Sequence, residues 1–143
     1  MAMDAYDAWN RGDFDAMVKH VADDVEWLTS GVFPDFDPVY RGHDGIRRFW
    51  DTMQIAWEVI EVRATRFVEY GDRILIELHF NGRGRESGVE VERDWAQVFT
   101  YRGDRITRIA GYPSVSDARE GEGLPEQPAD VEDDRTGSRA RRD

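Results

Sequence analysis

The hydrophobic period of this chain changes once, at Trp57, and that change fixes its class. Before it, apolar residues recur at helical spacing. Ala5, Tyr6, Trp9, Phe14, Met17, Val18 and Val21 predict two helices, about Ala2 to Asn10 and Asp13 to Val21, split at Gly12, with Asp13 as N-cap and Tyr6, Trp9, Phe14 and Met17 turned inward. Val25 to Leu28 reads as a short strand. A third helix starts near His43 or Asp44, and Ile46, Phe49, Trp50, Met53 and Trp57 fall on one of its faces. After Trp57 the pattern is β-like: Val59 to Tyr70, Arg73 to Arg83, Val89 to Tyr101 and Arg105 to Tyr112. These runs are separated by turns at Gly71-Asp72, near Ser87-Gly88 and at Gly103-Asp104. In the second run Ile74, Ile76, Leu78 and Phe80 share one face, with Leu75, Glu77 and His79 on the other. Helices first and an antiparallel meander after make an α+β domain, a curved sheet wrapped on three helices.

Composition narrows the function. A chain of 143 residues suits one domain with a real core, here expected over residues 1–124. From Pro125 to Asp143 few apolar residues remain, and a disordered charged tail is expected. Nineteen Lys and Arg against 30 Asp and Glu leave a formal net charge of -11, which argues against nucleic acid or an anionic membrane as partner. The absence of Cys removes disulfides, thiolate metal sites and a Cys nucleophile. No apolar run approaches a membrane span, and no secretory signal is visible, so a cytoplasmic location is expected. The GRGRESG stretch at Gly82 to Gly88 lacks the Lys-Ser/Thr of a phosphate loop and reads as a hairpin loop. No metal set or cofactor motif is visible, and neither is expected.

The segment Val25 to Trp50, VEWLTSGVFPDFDPVYRGHDGIRRFW, holds aromatic residues in a turn-rich connection between a strand and a helix. A plain connector is polar. Rings at Trp27, Phe33, Phe36 and Tyr40 point either to a pocket lining or to the closed end of a small core.

Four stretches together resemble the SnoaL-like branch of the nuclear transport factor 2-like superfamily. They are AYDAWNRGDFDAMVKHVADDVEW at Ala5 to Trp27, VYRGHDGIRRFW at Val39 to Trp50, YGDRILIELHFNGRGRESGVEVE at Tyr70 to Glu92, and the last hairpin at Val98 to Tyr112. The resemblance implies a cone or barrel of cystatin-like α+β type, a strongly curved, mostly antiparallel sheet closed at one end by three helices around an apolar cavity. Relatives include polyketide cyclases, ketosteroid isomerases and epoxide hydrolases. They share a carboxylate in a dry pocket, whose proton affinity is raised by desolvation. Such chains often carry an Asp just after the Tyr ending the last strand; here Ser114 stands there.

Within that frame Asp94 is the expected catalytic base. It sits mid-strand, where Asp is poorly suited. The alternative is a solvated or salt-bridged residue. Glu77 and His79 share a strand face and could form an acid–base pair, but Ile74, Ile76 and Leu78 make the better inward face, so an interface outside the cone is the favoured place for them. Trp27, Phe33, Tyr40, His43, Trp50 and Tyr112 are expected to line the ligand site. The expected function is binding of a small hydrophobic molecule in an internal pocket, with cofactor-free isomerase, cyclase or hydrolase activity as its enzymatic form and a non-catalytic binding or structural homodimer as the alternative. Trp95, Phe99 and Tyr112 fall on faces that cannot all line one small cavity, so a homodimer through the outer sheet is expected.

Overall fold

The structure, a computed structural model, describes residues 2–29 and 37–126. Helices α1 (Ala2–Arg11) and α2 (Phe14–Val18) lead into β1 (Val21–Leu28). Then follow β2 (Val39–Arg41), α3 (Gly42–Ala56), β3 (Trp57–Tyr70), β4 (Arg73–Gly84), β5 (Glu90–Arg102), β6 (Arg105–Tyr112) and α4 (Val115–Glu122). The strands form one six-stranded sheet in the order β2-β1-β6-β5-β4-β3. Every pairing is antiparallel except β1 with β6. The fold is the expected mixed α+β architecture, a curved, mostly antiparallel sheet against three N-terminal helices, open rather than closed into a barrel.

Cross-strand parity builds the core. Ile74, Ile76 and Leu78 of β4 stand opposite Phe99, Gln97 and Trp95 of β5, and together they form the inner face. The β3 residues Val62, Ala64 and Phe67 extend it. Onto this face α3 lays Ile46, Phe49, Trp50 and Met53, all buried, as its 3.6-residue stripe predicts. Asn10 ties α1 to the sheet: its amide donates to the Val62 carbonyl at 2.8 Å and its oxygen accepts from the Val62 N–H at 2.9 Å. Asp13 caps α2 through the Ala16 N–H, as its sequence position predicts.

Three local readings are corrected. First, α2 stops at Val18 and β1 begins at Val21, with the Ile106 N–H bonded to the His20 carbonyl. Asp23 and Asp24 hide this strand in the sequence. They sit in an irregular stretch of the β1–β6 register, exposed, where Arg102 holds Asp24 with two hydrogen bonds. Second, Trp57 opens β3 with extended backbone (φ -123°) and does not close α3; its ring meets Phe80 edge-on at 5.2 Å. The GRGRESG stretch is the expected hairpin loop, and Arg85 within it donates to the carbonyls of Gln54 and Trp57, capping the end of α3.

Third, α4 follows the last strand. Ser114 is its N-cap, accepting from the Asp117 N–H, and Gly123 ends it in the left-handed region (φ +68°). The helix covers the outer sheet face over Val68, Leu75, Ala96 and Val98, with Ala118 and Leu124 filling the contact. Tyr112 belongs to this outer layer, while Trp95 and Phe99 face inward. Of the three aromatic residues that called for a second subunit, Trp95 and Phe99 are thus buried within one chain, and Tyr112 is half-buried under α4. Of the expected tail, residues 127–143 lie outside the described residues. Among the described residues no helix is long and apolar enough to cross a membrane.

Candidate functional site: an aromatic cavity with one polar edge

Between the three N-terminal helices and the concave side of the sheet lies a cavity of about 60 Å3, measured as space open to the centre of a water-sized sphere. That is below the roughly 300 Å3 at which pockets for drug-sized ligands begin, so an occupant would be compact. One wall comes from α1, α3 and β1, where Trp9, Phe49 and Trp27 pack on one another with centroids 4.5 to 6.2 Å apart. Facing it, β5 supplies Trp95, Gln97 and Phe99, and Tyr6 stacks on Phe99 at 5.7 Å. Ile106, Ile109, Val21 and Met17 close one side; Ile46, Met53 and Val62 close the other.

The polar edge is a pair. The Tyr6 hydroxyl donates to Gln97 Oε1 at 2.6 Å, and both side chains are buried. Burial, and secondarily the nearby Tyr101, pushes the Tyr6 phenol well above its ordinary range, so it stays neutral. Burial also raises Tyr101, whose hydroxyl is buried without a hydrogen-bond partner among the described residues. No Asp, Glu, His, Lys or Arg belongs to the described lining. Such a lining can hold a neutral molecule and orient it through one amide. It offers no base to take a proton from carbon.

The expected site residues scatter. Trp27 lines the cavity. Trp50 lies one layer back, edge-on to Trp9 at 4.8 Å and to Phe14 at 5.5 Å. Tyr40 is buried behind Phe49 and accepts from the Asp37 N–H. His43 Nε2 sits 3.1 Å from the Val21 carbonyl at the start of α3, where it links helix to strand. Tyr112 faces outward and donates to Glu122 under α4. Phe33 lies outside the described residues.

Asp94 does not reach the cavity. It stands opposite His79, on the strand face shared with Ala96 and Val98, and its side chain is 73% exposed. His79 Nδ1 is 2.8 Å from Asp94 Oδ1, and His79 Nε2 is 3.5 Å from Glu92. Glu77 lies on the same outer face, as the inward-facing Ile76 and Leu78 require. The His79–Asp94 contact lies at the surface, in high dielectric. Asp94→Asn is therefore expected to change unfolding free energy by less than about 1 kcal/mol and to leave ligand affinity unchanged. Denaturant titration and a binding isotherm on the same variant check both.

Sequence reasoning placed Tyr6 inward but passed over Gln97. Its signal was available: a neutral polar residue two positions from Trp95 and two from Phe99, on a face otherwise apolar.

A curved sheet closed over an apolar cavity by three helices defines a class of small pocket-bearing α+β domains. The chain belongs to the SnoaL-like domain family, whose model matches residues 3–109. Solved structures agree on the fold. TerC, co-crystallised with polyporic acid, is 19% identical over 83% of this chain and 92% of its own, with a TM-score of 0.72. An NTF2-like protein of unknown function from Burkholderia pseudomallei is 18% identical over 83% and 92%, with a TM-score of 0.73. A Catenulispora acidiphila protein with a ketosteroid isomerase-like fold, in complex with trimethylamine, is 21% identical over 89% and 96%, with a TM-score of 0.70. No curated protein is detectably similar in sequence.

Proposed function

We propose that this chain binds a compact, neutral, hydrophobic molecule inside the cone. The observation that carries the reading is the lining itself: six aromatic and eight aliphatic or thioether side chains around one space, with Gln97 and the Tyr6 hydroxyl as its polar groups apart from the indole N–H donors. Two proteins of similar fold support a small organic ligand as the class, since TerC was co-crystallised with polyporic acid and the Catenulispora protein is in complex with trimethylamine.

The catalytic form of this reading, a cofactor-free isomerase, cyclase or hydrolase, needs a base at the cavity. Asp94 was the candidate, and it stands on the outer face. With no ionisable acid in the described lining, binding without turnover is the reading the geometry favours. Trp9, Trp27 and Trp95 make the test direct, because three of the five tryptophans border the cavity. Saturable quenching or shift of tryptophan fluorescence is expected on titration with indane or 1-indanone. Val62→Phe, which fills the space from β3, should abolish it while circular dichroism stays native. Saturation that survives Val62→Phe, or none in the unaltered protein, contradicts the reading.

The homodimer is retained as a proposal in altered form. With α4 on part of the outer sheet, a second copy would meet the remaining strip, where Arg63, His79 and Asp94 stand in one cross-strand row. Sedimentation at micromolar concentration should show a dimer that weakens with salt; a monomer at low salt contradicts it.

A further inference from the structure

We infer that Gln97 is the specificity-determining residue of the cavity and that the ligand presents a neutral hydrogen-bond acceptor oxygen, such as a ketone, lactone or quinone carbonyl, to its amide N–H. The inference rests on the binding reading above and names the chemistry that reading leaves open.

Gln97 is 7% exposed and sits mid-strand between Trp95 and Phe99 on the inner face. A carboxamide carries one acceptor oxygen and two N–H donors. The oxygen is engaged: it accepts from the Tyr6 hydroxyl at 2.6 Å. That is the side-chain hydrogen bond Gln97 makes among the described residues, so its nitrogen is left without a protein partner at the lining of an apolar cavity. Among the described residues the sealed side-chain atom without a partner is the Tyr101 hydroxyl, not the Gln97 nitrogen, so that nitrogen is open to the cavity and a ligand acceptor can reach one of its donors. The Tyr6 contact also fixes which end of the amide is presented. As long as the phenol donates to Oε1, the nitrogen turns away from Tyr6. Because burial keeps Tyr6 neutral and no cation lines the described cavity, a carboxylate or phenolate ligand would be desolvated without compensation. The ligand's oxygen is therefore neutral.

Three compounds with one carbon skeleton test this: indane with no polar atom, 1-indanone with an acceptor, and 5-indanol with a donor. Affinities are read from tryptophan fluorescence on the full chain and on Gln97→Met, with Tyr6→Phe/Gln97→Met as a second variant that leaves no orphaned hydroxyl. In the unaltered protein 1-indanone is expected to bind roughly tenfold more tightly than indane, the equilibrium value of one hydrogen bond. In either variant the ratio should fall to about one. Equal binding of indane and 1-indanone in the unaltered protein overturns the inference and leaves the binding reading intact. So does a ratio that persists in both variants. Preference for 5-indanol overturns it by showing that the cavity presents an acceptor. Failure of all three compounds to bind defeats the binding reading and this inference together.

Discussion

Phe49→Ala is expected to remove about 3–5 kcal/mol of stability, the range for truncating a buried Phe. Phe49 is 1% exposed. Its ring lies 4.5 Å from Trp27, 5.2 Å from Tyr40 and 6.1 Å from Trp9, so one side chain joins β1, β2 and α1 to α3. The void left by truncation opens into the existing cavity, whose walls are held by five other aromatic residues and cannot collapse to fill it. The loss should therefore sit at the upper end of the range. Urea unfolding checks it: the midpoint should drop with the slope unchanged, since the surface exposed on unfolding is nearly the same. A loss under about 1.5 kcal/mol would place Phe49 outside the core.

Glu122→Ala is expected to have the second largest effect, about 2–3 kcal/mol, by breaking the anchor of α4. The Glu122 side chain is 4% exposed. Arg108 Nη1 donates to both of its oxygens at 2.7 and 2.9 Å, Tyr112 donates its hydroxyl, and Arg73 lies 3.7 Å away. Arg73 also donates to the Glu122 carbonyl at 3.0 Å. Removing the carboxylate leaves two guanidinium groups over an apolar layer. Both are about a third exposed, so water offsets part of the loss and the estimate sits below that for a fully buried pair.

The same cluster sets a pH dependence. Burial alone would raise the Glu122 carboxyl, but hydrogen bonds from Arg108 and Tyr112, with the arginine charges, outweigh it and hold the group below its ordinary value. A folded pKa below the unfolded one gives stability that is full at neutral pH and lost as pH falls through the lowered folded value, on the acid side of the ordinary glutamate range. At the alkaline end, burial and then the Glu122 carboxylate push Tyr112 up to about 12. Its contribution is full below the unfolded tyrosine value of about 10 and is lost as pH rises through the folded one. Glu122→Gln should flatten the acid limb of a stability–pH curve and Tyr112→Phe the alkaline limb. Unchanged limbs would show that α4 is held by its apolar contacts alone.

What the sequence disclosed and what it hid have the same physical origin. Long periodic elements were legible because burial of a whole face leaves a repeating mark: the α3 stripe at Ile46, Phe49, Trp50 and Met53, and the β4 alternation ending at Phe80. Short elements whose stability is tertiary were not. β2 spans three residues, and α4 buries little beyond Ala118, held instead by Glu122 contacts to residues 10 to 49 positions away. The site misreading came down to strand parity. Asp94 and Gln97 are three residues apart on β5 and so face opposite ways. The charge in the strand faces solvent, and the neutral amide is the one that meets the cavity. The strand face of Gln97 could have been read from its flanks, since Trp95 and Phe99 are too large to leave exposed on one face together. The outer-face position of Tyr112 could not, because nothing in the strand pattern announces the helix that covers it.

The central claim is that the cone holds a small neutral molecule, and methyl NMR during titration with 1-indanone tests it most directly. Met17 and Met53 both line the cavity, as do Ile46, Ile106 and Ile109, while Ile55 is 75% exposed on the far side of α3 and serves as the reference. Saturating shifts at Met17, Met53 and the lining isoleucines, with Ile55 unmoved, are the predicted result. Saturation with no change at Met17 and Met53, or shifts confined to Ile55, would contradict it.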